Sequence, residues 1–229
     1  MAEKQDGALR EEQRRDYRTI GAEGTGAYAE KKSRFLARAL HVSCEEEVSV
    51  ALAEEKKRYY DAKHHCSAWI TGTGGAPRTE RASDDGEPSG TAGNPMLELL
   101  KGNDLTDCMV IVTRYFGGTL LGTGGLMRAY TAAAKAALAQ AQIVRMCACD
   151  VLGLRIGYRQ LDRILFWLSR ERLSFEEPVY AEQISLRLTV PCAETEKRRR
   201  ELEELTAGKA EIAVEESGFF SIDNEFSVG

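Results

Sequence analysis

Five consecutive apolar residues, Cys108-Met-Val-Ile-Val112, followed shortly by Gly117-Gly118, constrain this chain more than any other feature. An unbroken apolar run bounded by turn residues is the pattern of a strand buried on both faces, so the sheet holding it must be covered on each side. That strand delivers Arg114 to the segment Arg114-Tyr-Phe-Gly-Gly-Thr-Leu-Leu-Gly-Thr-Gly-Gly-Leu-Met-Arg128, which carries glycine at 117, 118, 122, 124 and 125. A helix is expected from about Gly125 to Gln142. It buries Leu126, Tyr130, Ala133, Ala137 and Ala141, and its small residues imply close packing on the sheet.

Upstream, Tyr17 to Ala29 and Ser33 to Val42 read as extended segments, and Ser43 with Glu46 makes a capping box before a helix ending near Tyr60. His65 to Thr71 reads as a strand and Gly72 to Gly93 as one long loop. Asn94 is then the expected N-cap of a short helix, with Pro95 at its first position and Gly102 at its stop. From about Val144 the pattern restarts. A strand over Val151 to Ile156, a helix carrying Leu161, Ile164, Leu165 and Leu168, and a strand over Phe175 to Tyr180 come first. Next come alternating apolar residues from Ile184 to Val190, a charged helix from about Ala193 to Gly208, and a strand through Ala210, Ile212 and Val214. This βαββαβ order is ferredoxin-like: two helices cover one sheet face, and the other stays open for RNA or protein.

With 229 residues and 43% hydrophobic content, two modest cores are the natural expectation. The chain is expected to be α+β, with a flexible arm over residues 1–16, a first domain over 17–143 and a second over 144–229. A net charge of −5 excludes a global attraction to nucleic acid, so any such partner must engage a local basic patch. Cys44, Cys66, Cys108, Cys147, Cys149 and Cys192 form no C-x-x-C pair, and the polar stretch from Met1 to Arg18 contains no apolar signal segment. Reduced thiols, a cytoplasmic location and no membrane partner are expected.

The glycine segment suits an anion. Peptide N–H groups at a helix start, made accessible by Gly117, Gly118, Gly122, Gly124 and Gly125, could meet a phosphate, with Arg114 or Arg128 supplying charge. No Lys-Ser or Lys-Thr follows Gly122, which excludes a P-loop, and Met127 occupies the last glycine position of a dinucleotide fingerprint. The alternative is a purely structural tight turn. Asp84, Asp85 and Glu87 are of cation-binding type but lack the EF-hand rhythm, so an ordered structural loop is expected there. On a strand, His64 and Cys66 face one way and His65 the other, which supplies too few ligands for zinc. Lys197-Arg-Arg-Arg200 is bracketed by glutamates at helical spacing and reads as a solvated, salt-bridged helix. No catalytic residue, metal or cofactor is assigned.

Four blocks carry a family resemblance: Lys31-Lys-Ser-Arg-Phe35, His64-His-Cys-Ser-Ala-Trp69, Ser83-Asp-Asp-Gly-Glu-Pro88 through Gly93-Asn-Pro-Met-Leu97, and Thr113-Arg-Tyr-Phe-Gly-Gly118 through Leu121-Gly-Thr-Gly-Gly-Leu126. In this order they resemble the YigZ/IMPACT family. The resemblance implies a first domain like the second domain of ribosomal protein S-five, and a second domain resembling elongation factor G domain V. It also implies a link to control of translation, through the translation apparatus (RNA or ribosome) or a regulatory protein. Eukaryotic members restrain an amino-acid-starvation kinase through its activator and carry an extra N-terminal RWD domain, which the arm before Tyr17 does not replace. The family supplies no catalytic residues, so His64, His65, Asp84, Asp85 and Glu87 stand as motif residues without a role. The competing readings are a protein acting on or binding a phosphorylated small molecule at the glycine loop, and a protein-interaction scaffold.

Overall fold

The computed structural model describes residues 16–73 and 77–221; the arm expected over 1–16 lies, Asp16 apart, outside them. The chain divides into two compact units, the break falling between Arg145 and Met146. The first unit contains β1 (Tyr17–Ala22), β2 (Gly24–Glu30), β3 (Ser33–His41), α1 (Glu45–Arg58), β4 (His64–Thr71), β5 (Thr79–Ser83), α2 (Gly93–Gly102), β6 (Cys108–Tyr115) and α3 (Gly122–Gln140). Strand β7 (Gln142–Ile156) contains the break.

Strands β2-β3-β6-β4-β5 form an antiparallel sheet with β6 at its centre. The two-sided burial implied by the apolar run is what the sheet provides. Cys108, Val110 and Val112 join Phe35, Ile70, Leu100 and Tyr130 in the larger core, while Met109 and Ile111 pack with Val48 and Ala51 of α1 on the opposite face.

Several expected boundaries move, each for a local reason. The extended segment from Tyr17 to Ala29 is two strands, β1 and β2. The long loop from Gly72 to Gly93 contains β5, whose residues pair with β4 from Ser67↔Ser83 to Thr71↔Thr79. At α1 the capping partner of Ser43 is Glu47, not Glu46: Cys44 is the N-cap, and the Glu47 carboxylate accepts the Ser43 N–H at 2.7 Å and its hydroxyl at 3.1 Å. Helix α3 begins at Gly122, three residues earlier than expected, and ends at Gln140.

In the second unit the order is β7, α4 (Leu161–Glu171), β8 (Ser174–Phe175), β9 (Val179–Tyr180), β10 (Ile184–Pro191), α5 (Thr195–Thr206) and β11 (Glu211–Ser221). β7 lies between β11 and β10, and β8 and β9 both pair with the far edge of β10. This is the ferredoxin-like arrangement, and the fold class is α+β. The strand expected over Phe175 to Tyr180 is split at Glu176–Pro178, where the proline has no N–H to give to a ladder. The alternation of Ile184, Leu186, Leu188 and Val190 buries all four against Leu152, Leu154, Ile164, Trp167, Leu168 and Leu202.

Helix α3 lies directly on β2 because both surfaces are small. A Cβ on Gly24 would stand 2.3 Å from the Ala137 carbonyl oxygen, and one on Gly26 would stand 2.4 Å from the Ala137 nitrogen. Such close approach gains dispersion contacts that larger residues would forfeit. Replacing Gly26 by Ala is therefore expected to lower unfolding stability by about 1–3 kcal/mol, read from the urea midpoint at unchanged m value. An unchanged midpoint would show that the helix is free to move away.

Candidate functional site

Arg114 leaves the central strand but stays inside the protein, 6% exposed. Its guanidinium donates to Glu87 Oε1 at 2.6 Å and lies 5.4 Å from the Phe35 ring centroid and 5.5 Å from that of Phe116. The same carboxylate oxygen accepts the Tyr130 hydroxyl at 2.8 Å, and Tyr130 packs edge-on against Phe35 at 5.0 Å. Ser33, at the start of β3, accepts the Gly117 N–H at 3.1 Å. One ion pair thus gathers β3, the acidic loop, β6 and α3.

The Cys66 thiol lies 3.3 Å from the Tyr130 hydroxyl and 3.0 Å from the Asp84 carbonyl oxygen. Burial pushes this thiol up to about 12 and raises the Tyr130 phenol as well. Both keep their protons at neutral pH, so this pair supplies no nucleophile.

The acidic loop is held from within. Asp84 accepts the N–H groups of Gly90 at 2.7 Å and of Ala92 and Gly93 at 2.9 Å each. Burial raises its pKa, but the three amides outweigh burial and hold the carboxyl below its ordinary value. Since Ala92 and Gly93 open α2, Asp84 caps that helix from eight and nine residues away. Asn94 is consequently not the N-cap; it sits inside the first turn, and Pro95 is not the first helical residue.

Asp85 adopts φ +41° and accepts the His65 N–H at 2.7 Å, while its carbonyl meets His64 Nδ1 at 2.8 Å. His65 Nε2 meets the Tyr59 carbonyl at 3.2 Å, and burial lowers the His65 pKa, keeping the ring neutral at pH 7. Among the described residues no group of three His, Cys, Asp or Glu is placed to hold a metal ion. In this polar framework Glu87 meets Arg114 directly and His64 stands opposite it in the β4–β6 register, while Asp84, Asp85 and His65 tie the acidic loop to α2, to β4 and to the Tyr59 carbonyl.

The remaining candidates form a rim outside that framework. A Cβ on Gly117 would lie 2.1 Å from the Lys32 carbonyl carbon, so only glycine lets the loop rest on the β2–β3 turn. Gly118 and Gly122 have φ of +82° and +68°, and Gly118, Gly122 and Gly124 are exposed. Gly125 is buried against Leu121, where its Cβ would stand 3.1 Å from the Leu121 Cβ. No side chain among the described residues caps the start of α3. Exposed Arg128 folds back toward this start, its guanidinium 3.6 Å from where a Cβ of Gly124 would be.

Sequence reasoning assigned no role to Lys31 and Lys32, and the structure sets both at this rim. They are the exposed tip of the β2–β3 hairpin with φ of +46° and +67°, a turn conformation where glycine and asparagine are usual. Holding two lysines there costs about 1 kcal/mol or more each. The signal was available in their motif block, but a pair of lysines otherwise resembles any solvated turn.

The second unit offers less. On the open face of its sheet Arg187 is surrounded by Glu176, Glu215 and Glu216, and Arg155 is 3.7 Å from Glu211, an acidic balance that disfavours RNA. Within Lys197–Arg200, Arg198 departs from the solvated expectation: it is buried over Trp167 and paired with Glu171, Glu194 and Glu201.

The Glu87–Arg114 pair makes a direct prediction. Arg114→Met leaves the Glu87 carboxylate buried without its cation and is expected to cost about 3–5 kcal/mol in urea unfolding. Glu87→Gln added to Arg114→Met should recover part of that loss. Additive losses would show that the two side chains are not coupled.

Residues 31–138 match the family model described as the Impact N-terminal domain, which spans all four motif blocks, Tyr130 and Arg128; residues 154–209 match a domain of unknown function, DUF1949. The chain is 36% identical over 196 residues to the IMPACT family member YvyE of Bacillus subtilis (strain 168), covering 86% of this chain and 89% of that protein. It is 34% identical over 187 residues to the IMPACT family member YigZ of Escherichia coli (strain K12), covering 81% and 92%. A solved structure described as the crystal structure of a hypothetical protein is similar at 32% identity with a TM-score of 0.56, over 88% of this chain and 98% of that one.

Proposed function

We propose that this chain, which belongs to the IMPACT family, regulates translation in the cytoplasm by binding a phosphate-bearing partner, RNA or the ribosome, through the rim of its first unit. The link to translation is the one the family resemblance implies. The observation that carries the choice of surface is the uncapped start of α3 in an exposed glycine loop, with Arg128 folded over Gly124. Backbone N–H groups and a guanidinium converge there, and Lys31 and Lys32 project from the adjoining turn.

Arg114 is not the anion hook in this reading, because Glu87 already neutralises it. Its work is to hold Phe116, 55% exposed, at the mouth of the loop, where an aromatic face could take a stacked base. Exposed Leu120 and Met127 favour a protein partner as the second reading. No helix among the described residues is long and apolar enough to cross a membrane.

Filter binding of ribosomal RNA at low salt checks the reading. Arg128→Ala and the double change Lys31→Ala/Lys32→Ala should each weaken binding and flatten its dependence on salt, by about 0.7–0.9 in log–log slope for each phosphate left without its cation. Arg199→Ala, on a side chain paired 3.4 Å from Glu203, should do little. Absent RNA binding, or equal losses from Arg128→Ala and Arg199→Ala, would return the loop to a structural role and favour the protein-partner reading.

A further inference from the structure

On the other face of the five-stranded sheet, a recess of about 420 Å³ opens between the last turn of α1 and strands β2 and β3. Thr25, Ala27 and Leu36 contribute to its walls, and Glu55, Arg58 and Tyr59 enter it from the helix side. The size suits a small molecule.

Glu55 is the unusual member. It is 2% exposed, and its Oε2 atom meets no donor within ordinary hydrogen-bond geometry; the Thr113 hydroxyl of β6, itself unmatched there, acts on the carboxylate from a looser position and lowers its pKa less than burial raises it. Burial raises the Glu55 pKa against the pull of nearby Arg58 and Arg38. A buried carboxylate oxygen left unmatched is rare, because its desolvation is uncompensated, and a leucine here would simply extend the apolar contacts of α1.

The charges around it are unequally committed. Arg38 is held by Glu23 at 2.8 Å and Glu54 at 3.4 Å. Exposed Arg58, one helical turn from Glu55, has no ion pair among the described residues. A poorly matched carboxylate lining the recess and a guanidinium without an ion pair at its edge thus lie one helical turn apart, as a carboxylate and a cation do when they clasp the two ends of a zwitterion.

We propose that this recess binds a small zwitterion of the α-amino-acid class, its ammonium group donating to Glu55 and its carboxylate accepting from Arg58. The site lies on α1 and the sheet face beneath it, shares no residue with the glycine-loop rim, and does not depend on RNA binding there. The recess exceeds the volume of the smallest amino acids, so a side chain would extend along Leu36 and Ala27.

Titration calorimetry of the full chain against the twenty free amino acids, putrescine and acetate tests this. At least one amino acid should bind, with putrescine and acetate at least tenfold weaker. Glu55→Gln and Arg58→Gln should each weaken that amino acid tenfold or more, and Glu55→Gln should melt at or above the temperature of the unmodified chain, because it removes an unmatched carboxylate. Absent binding by every amino acid, equal binding of putrescine, binding unchanged in either variant, or a Glu55→Gln protein melting several degrees lower would each overturn the proposal. Arg58 is exposed, so its variant keeps the test open whatever happens to Glu55→Gln.

Discussion

Two side chains of opposite charge, Glu87 and Arg114, are withdrawn from water 2.6 Å apart, and the first unit supplies partners to both, with the Arg114 Nε left unmatched. Removing both from solvent is expensive, and their attraction offsets that cost only when geometry and further hydrogen bonds are supplied. Tyr130 reaches Glu87 from α3, while Phe35 and Phe116 take the faces of the guanidinium. The pair joins parts of the chain 27 residues apart, and Tyr130 adds a link of 43. It therefore fixes where the acidic loop, the end of β6 and the start of α3 stand relative to one another.

Around that pair the motif residues divide by task. Asp84 and Asp85 commit their acceptors to backbone amides of the loop, of α2 and of β4, so a stretch rich in acid is spent on holding its own loop in place. Basic groups are distributed the other way. Lys31, Lys32 and Arg128 are exposed, the lysines in left-handed backbone that a relaxed hairpin would give to glycine. A chain of net charge −5 thus keeps a local basic rim without becoming a general binder of polyanions.

What could be read from residues alone was whatever depends on local periodicity. The double burial of β6, the alternation along β10 and the small-residue face of α3 follow from spacing, and the structure has them. What could not be read were the pairings of distant polar groups. Asn94 has the chemistry of an N-cap, but the capping carboxylate comes from Asp84, and no local pattern announces a cap so far upstream. Arg114 beside a glycine loop has the appearance of an anion ligand until Glu87 is seen against it, and Tyr130 has the spacing of one more core aromatic. Glu55 carries no signal of its own, because a glutamate on a charged helix face is ordinary unless the sheet beneath it buries the carboxylate.

A rigid polar framework that presents a separate rim for binding is tested in both halves at once by backbone hydrogen exchange of the full chain, with and without ribosomal RNA. Amides of Gly90, Ala92 and Gly93 should exchange slowly in the free protein despite lying in or beside a loop, and should not change on addition of RNA. Amides from Gly118 to Gly124 and at Lys31 and Lys32 should exchange faster when free and become protected when RNA is present. Fast exchange at Ala92 and Gly93 in the free protein, or protection confined to residues 146–221, would contradict it.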